Sequence, residues 1–248
     1  MANVIGIIPA RFASSRFPGK PLVEILGKTM IERVYRQSSQ ASSLNRVVVA
    51  TDDTRIFDHV TAFGGEVVMT SPHHASGTDR CAEVAALLHT TADVIVNIQG
   101  DEPFIAPSQI DALVGLFSNP KCEIGTLVKR ISNAEDLHSD TVIKVVRDLH
   151  GKALYFSRNA MPHVRGVKGE DVLSHANFFK HIGIYAYRAE VLKTLAALPV
   201  SELERSEALE QLRWLENGYS IHLAETEHES NSVDTPEDLQ QMLAAMAK

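Results

Sequence analysis

The sequence predicts an α/β protein built on a mostly parallel, mixed sheet of the Rossmann-like kind, with an inserted hairpin and arm. Three observations carry this. Short apolar runs alternate with helical patterns in β-α-β-α order. The runs are almost continuously hydrophobic, as strands covered on both faces require. The chain has 248 residues, 44% hydrophobic and 22% charged, an ordinary globular composition long enough to bury a large core. It reads as one domain, 1–248, with the insertion at about 130–188.

The first strand is the run Val4, Ile5, Ile7, Ile8, expected to stop at Pro9. Thr29 caps the first helix, in which Met30, Ile31, Val34 and Tyr35 share a face. Further strands are expected at Arg46–Thr51, at Glu66–Thr70 after a Gly64-Gly65 turn, at Asp93–Ile98 and at Ile124–Val128. Helices fall between them, at roughly Thr54–Phe63, Asp79–His89 and Pro107–Phe117. Pro107 suits a first turn.

The pattern changes after about residue 130. Val142–Arg147, the turn Asp148–Gly151 and Ala153–Ser157 form a hairpin signal. Residues 159–178 are polar and irregular, an excursion that reads as a lid or an oligomerisation arm. Ile182–Tyr187 returns as a strand. Helices follow near Ala189–Leu198 and Ser206–Asn217, with Gly218 as a stop. After a late strand, Tyr219–Ala224, Thr235 caps a final helix with Pro236 in its first position and Glu237 and Asp238 in its first turn.

Composition narrows the function. The net charge of −7 argues against a nucleic-acid coat, which needs a broad basic surface, but leaves room for a nucleotide held by a local cationic patch. Cys81 and Cys122 are far apart and in no paired motif, which fits a reducing compartment. The N-terminus lacks a signal-peptide pattern, and no apolar run is long enough to span a bilayer. The expectation is a cytoplasmic protein with no membrane or nucleic-acid partner.

The chemistry-bearing stretch is VIGIIPARFASSRFPGKP, Val4–Pro21. A buried strand empties into a loop with Arg11, Arg16 and Lys20 and no acid among them. Arginine can fork onto phosphate oxygens and lysine offers a point charge, so the loop reads as a phosphate cradle or as a solvated basic turn. It is neither a Walker A loop nor a GxGxxG turn. In Asn97–Pro103 the fourth strand turns polar, and Asp101 should face the same crevice. A carboxylate beside phosphates needs a cation between them, which Mg²⁺ supplies. The same residues also read as a simple turn. Asp234, by its own spacing, reads as a cap or dipole partner of the last helix. Ser76-Gly77-Thr78-Asp79-Arg80 opens a helix, either as a ligand-facing N-terminus or as a capping sequence. Arg80 stands out because a helix start disfavours a cation. Arg158, His181, Tyr185, Glu210 and Gln211 are polar groups embedded in strand or amphipathic patterns, each readable as structural. The histidines show no zinc-binding spacing.

Taken together, IIPARFASSRFPGKPL, VATDD, SGTDR, NIQGDEP, IKVVRD, ALYFSR, KHIGIYAYR, LEQLRWLE and VDTPEDL resemble the 3-deoxy-D-manno-octulosonate (Kdo) cytidylyltransferases over nearly the whole chain. The resemblance implies a Mg²⁺-dependent enzyme that joins CTP to Kdo, gives CMP-Kdo and diphosphate, serves lipopolysaccharide biosynthesis, and works as a homodimer. It assigns the triphosphate to Arg11 and Lys20, with Ser14, Ser15 and Arg16 nearby. It assigns the cytidine and sugar pockets to Ser76, Arg80 and Gln99, the metal to Asp101 and Asp234, and the sugar to Arg158, His181, Tyr185, Glu210 and Gln211. Two other readings are a sister transferase acting on sialic acid or a sugar phosphate, and a nucleotide-binding module without turnover. Diphosphate release that requires CTP, Mg²⁺ and Kdo together separates all three.

Overall fold

The structure is a computed structural model that describes residues 2–13, 16–88, 92–167, 171–229 and 232–246. It divides into two compact units, Met1–Asp111 with Ser230–Lys248, and Ala112–Glu229.

The first unit opens with β1 (Val4–Ala10), then a short hairpin of β2 (Glu24–Ile25) and β3 (Lys28–Thr29). There follow α1 (Met30–Ser38), β4 (Arg46–Thr51), α2 (Thr54–Ala62), β5 (Val67–Met69), α3 (Gly77–Leu87), β6 (Val94–Asn97) and the start of α4 (Pro107–Gly115). The strands pair in parallel, with β1 between β4 and β6 and β5 beyond β4. Ile7 lies opposite both Val48 and Asn97. The core is this apolar ladder: Ile7, Ile8, Val48, Val49 and Val94 to Val96 are fully buried. Thr29 does cap α1, accepting from the Glu32 amide at 3.3 Å.

β1 does not stop at Pro9. It continues to Ala10, and Pro9 stays in register with Ala50. The reason is directional. Ile7 gives its carbonyl to Ile98 on the β6 side. Pro9, two residues on, faces that same side, where the ladder with β6 has already ended at Ile7 and Asn97. Its missing N–H therefore costs no ladder bond.

The second unit contains β7 (Ile124–Arg130), α5 (Ala134–His138), β8 (Lys144–Arg147), β9 (Ala153–Ser157) and α6 (Val172–His175). It continues with β10 (Phe179–Arg188), α7 (Ala189–Ala196), α8 (Glu202–Glu207), α9 (Glu210–Glu216) and β11 (Ile221–Glu225). β7 pairs parallel with β11 and antiparallel with β10; the expected hairpin is β8–β9, which joins the edge of β10. Part of the 159–178 excursion folds back on its own unit: Val164, Val172, Leu173 and Ala176 pack on Ile131, Leu137 and Phe178.

One expected helix is two. Ser206–Asn217 breaks at Ala208, which takes the left-handed conformation (φ 52°, ψ 48°) and separates α8 from α9. Periodicity cannot report such a break, because no Gly or Pro marks it. The chain then returns to the first unit with α10 (Pro236–Met246). Thr235 caps it, accepting from the Asp238 amide at 3.1 Å, while the Asp238 carboxylate accepts from the Thr235 amide at 2.8 Å. No helix among the described residues is long and apolar enough to cross a membrane.

The β2–β3 turn is two residues, Leu26 (φ 48°) and Gly27 (φ 77°), and Leu26 is 62% exposed. Two positive φ angles are what a type I′ turn needs, and Asn-Gly fits it best. A leucine there is strained by roughly 1–2 kcal/mol. Leu26→Asn is expected to stabilise the protein by about 1 kcal/mol, read as a higher urea midpoint with an unchanged slope.

Candidate active site

At the carboxyl end of β1 the first unit has a cavity of about 380 Å³. Pro9, Ala10, Arg11, Ala13, Arg16, Lys20, Pro21, Gln99, Gly100, Asp101 and Asp234 line it. Its geometry starts with the loop after β1. The Gly19 amide donates to the Phe12 carbonyl at 2.9 Å and closes the loop on itself. Gly19 has φ 74°, and a Cβ there would meet the Phe12 ring at 3.1 Å. The Arg55 guanidinium lies over that ring, 3.3 Å from its centre, a cation–π contact that holds Phe12 in place. Lys20 follows at once, in a 3₁₀ turn with Pro21.

Opposite, β6 hands over to Gln99-Gly100-Asp101. A Cβ at Gly100 would lie 2.6 Å from the Pro9 carbonyl oxygen, so only glycine lets the two chains approach this closely. Asp234 arrives from the far end of the sequence. The Val233 amide donates to the Asp101 carbonyl at 2.9 Å, and the Val233 side chain is buried with Ile25 and Met30.

These three segments bring Asp101 and Asp234 to one cation. Lys20 Nζ is 2.8 Å from Asp101 Oδ2 and 3.2 Å from Asp234 Oδ1. Arg16 adds a contact of 3.1 Å to the same Asp234 oxygen. Arg11 donates to the His74 carbonyl, and His74 in turn lies 2.5 Å from Glu83, so the loop before α3 is tied to the cavity wall.

Two expected pocket residues are placed elsewhere. Arg80 is fully buried and does not reach the cavity. It donates to Thr70 Oγ1 and lies 3.3 Å from the Asp52 carboxylate, which offsets the burial of its charge in the first turn of α3. Ser76 is the N-cap of that helix, in a reciprocal capping box with Asp79. Ser14 and Ser15 lie outside the described residues.

Of the expected sugar residues, Gln99 lines the cavity of the first unit, while Arg158, His181, Tyr185, Glu210 and Gln211 belong to the second, where a β-bulge in β10 sets the geometry. Ile182 and Tyr185 lie opposite consecutive residues of β7, Leu127 and Thr126, so two residues are looped out between them. In a regular strand His181 and Tyr185 would be about 13 Å apart. The bulge makes them neighbours on one face, with ring centres 5.2 Å apart. Phe156 packs on His181, and Trp214 of α9 packs edge-on to Tyr185. The Tyr185 hydroxyl is buried without a hydrogen-bond partner among the described residues. Burial, then the charge of Glu210, pushes its pKa well up, so it is a neutral donor. Gln211 is buried, and Glu210 lies 3.2 Å from Arg213. Arg158 donates from Nε to the Glu207 carbonyl at 2.7 Å and from Nη1 to the Asp140 carbonyl at 2.9 Å.

The tautomer of His181 follows from its partner. Thr126 Oγ1 is 2.7 Å from the Ile184 carbonyl, which can only accept, so the hydroxyl proton goes there. Thr126 then accepts from His181 Nε2 at 2.9 Å, leaving Nδ1 as an acceptor. Sequence reading missed Thr126, Trp214 and Glu207. Thr126 and Trp214 carry no local signal, because only the bulge and the helix break bring them into contact.

Burial holds the His181 pKa at about 3, below its ordinary 6.5. The unfolded chain therefore takes up a proton that the folded protein refuses. This contribution to stability is present above pH 6.5 and is lost as pH falls towards 3, by at most about 1.4 kcal/mol per pH unit. His181→Gln is expected to flatten the fall of the urea midpoint between pH 6.5 and 4. His222, lowered by burial in the same direction, keeps a residual slope in the variant.

Comparison with known proteins agrees with this architecture. The family model described as cytidylyltransferase matches residues 5–224. A 3-deoxy-manno-octulosonate cytidylyltransferase of Parabacteroides distasonis is 52% identical over 251 aligned residues, covering 100% of this chain and 99% of its own. One from Syntrophotalea carbinolica is 54% identical, covering 96% of each. A solved structure of a CMP:2-keto-3-deoxy-manno-octonic acid synthetase complexed with CTP superposes with a TM-score of 0.92 at 42% identity, covering 99% of both chains. The chain belongs to the 3-deoxy-manno-octulosonate cytidylyltransferase family.

Proposed function

We propose that this chain transfers the cytidylyl group of CTP to 3-deoxy-manno-octulosonate, releasing diphosphate, with Mg²⁺ as its divalent ion. The observation that carries the reading is the pair Asp101 and Asp234, remote in sequence yet sharing one cation at the mouth of a cationic, glycine-lined cavity. Family membership adds the substrate class.

The donor set suits the metal. Mg²⁺ takes one or two carboxylates and completes its shell with phosphate oxygens and water. Asp101 and Asp234 would hold the ion, which would neutralise charge on the α-phosphate and lower the pKa of the attacking sugar hydroxyl.

The chain's own groups then have distinct tasks. Arg11, Arg16 and Lys20 bind the triphosphate and stabilise the departing diphosphate. Lys20 serves the carboxylates in the free chain and the phosphates in the complex. Gln99 lines the nucleotide cavity, and Gly100 lets the substrate's cradle close on Pro9. In the second unit Arg158 takes the sugar carboxylate. His181 Nδ1 accepts from a sugar hydroxyl, the Tyr185 hydroxyl donates to one, and Glu210 and Gln211 complete the set. Positioning and charge neutralisation carry the rate, and no side chain is needed as an obligatory base. Ser76 and Arg80 keep the role the resemblance gives them, towards the cytidine and the sugar. The homodimer is what the resemblance implies, and size-exclusion chromatography tests it; the cytoplasmic location rests on the two cysteines, Cys81 and Cys122, which form no disulfide with each other.

Diphosphate release is expected only when CTP, Mg²⁺ and the sugar acid are all present. UTP, GTP, TTP and ATP are expected to be poor donors, and sialic acid and sugar phosphates poor acceptors. Asp101→Asn should fold normally and lose most turnover; unchanged turnover would remove Asp101 from the metal site. Lys20→Ala should weaken use of CTP by about 1.5–3 kcal/mol, measured as kcat/KM.

A further inference from the structure

We propose that Glu207 is a positioning residue for the sugar acid: it locks the Arg158 guanidinium to the elbow that carries Glu210 and Gln211. The inference rests on the reading of Arg158 as the carboxylate-binding residue.

Glu207 is the last residue of α8. A carboxylate there opposes the helix dipole, so helix formation does not account for it. Its contacts do. Oε1 accepts from Ser157 Oγ at 2.6 Å, and Oε2 accepts from the Arg158 amide at 3.0 Å. Its main-chain carbonyl accepts from Arg158 Nε at 2.7 Å. Both ends of one residue thus grip the end of β9. Two further bonds complete the hold on Arg158: the buried Lys144 ammonium donates to the Arg158 carbonyl, and Nη1 donates to the Asp140 carbonyl at 2.9 Å.

The consequence for the guanidinium is geometric. With Nε and Nη1 held, its plane is fixed, and Nη2 makes no hydrogen bond among the described residues. The consequence for α9 is equally direct. Ala208, with φ 52°, turns the chain immediately after Glu207, and α9 starts at Glu210. Glu207, with its carboxylate on the Arg158 amide and its carbonyl on Nε, therefore sets where Arg158 lies relative to the first two residues of α9. A substrate that touches both needs that spacing, and small misplacements are costly to binding and rate.

The test uses the full chain and four variants: Glu207→Ala, Glu207→Asp, Glu207→Gln and Arg158→Ala. KM for the sugar acid and KM for CTP are measured separately by diphosphate release, alongside thermal melting. Glu207→Ala is expected to raise KM for the sugar acid about tenfold or more while moving KM for CTP by less than about twofold. Glu207→Asp, one methylene too short to span both contacts, should behave alike and reads the effect if the alanine variant does not fold. Glu207→Gln should recover most of the loss. Its amide oxygen still accepts from the Arg158 amide, and its N–H can donate to Ser157 Oγ. A lower melting temperature with an unchanged KM for the sugar acid in the alanine and aspartate variants would overturn the proposal and leave a merely structural tie. If Arg158→Ala leaves that KM unchanged, the reading of Arg158 fails and this inference with it. A raised KM in Arg158→Ala beside an unaffected Glu207→Asp sinks the positioning role alone.

Discussion

The first unit is organised around one ammonium shared by two carboxylates. Asp101 and Asp234 would repel each other if left alone, and a chain that places them together must supply positive charge. Lys20 supplies it at 2.8 and 3.2 Å. Everything around the contact limits where Lys20 can go. The loop closed by Gly19 and Phe12, the Arg55 guanidinium against the Phe12 ring, and the proline that follows Lys20 fix one partner. The glycine approach at Pro9 and the main-chain bond from Val233 fix the other two. The two acids are thus held beside one cation by contacts that all lie within the first unit.

The second unit solves a different problem, that of presenting neutral polar groups from an apolar wall. Aromatic rings pack against His181 and Tyr185. That environment keeps the imidazole uncharged and the phenol protonated. The bulge in β10 sacrifices regular pairing to bring the two side chains together, and the break at Ala208 serves α9 in the same manner. Both are departures from regular structure placed next to polar groups that structure alone does not require.

The sequence was informative where structure is local. Continuous apolar runs located β1, β4 and β6, Thr29 and Thr235 were legible as caps, and the β8–β9 hairpin followed from its turn. The basic loop and Asp101 were legible because strand ends in parallel sheets point at one crevice. What stayed hidden depends on distant pairing. Asp234 sits in a capping sequence that does cap, and only the bond from Val233 to Asp101 brings it beside a second acid. Arg80 looked misplaced at a helix start because its counter-charge, Asp52, comes from another loop. Residues that align others, such as Glu207 and Thr126, have no pattern of their own.

The discontinuous make-up of the first unit affects how the protein is born. Residues up to Asp111 leave the ribosome early, but the segment bearing Asp234 follows only after the intervening unit, about 120 residues later. At translation speeds of roughly 5–20 residues per second the delay is on the order of ten seconds. Throughout it the nascent chain can form the parallel ladder and the Lys20–Asp101 contact, yet the acidic pair is incomplete. The first unit therefore acquires its second carboxylate only after the whole of the second unit has been synthesised.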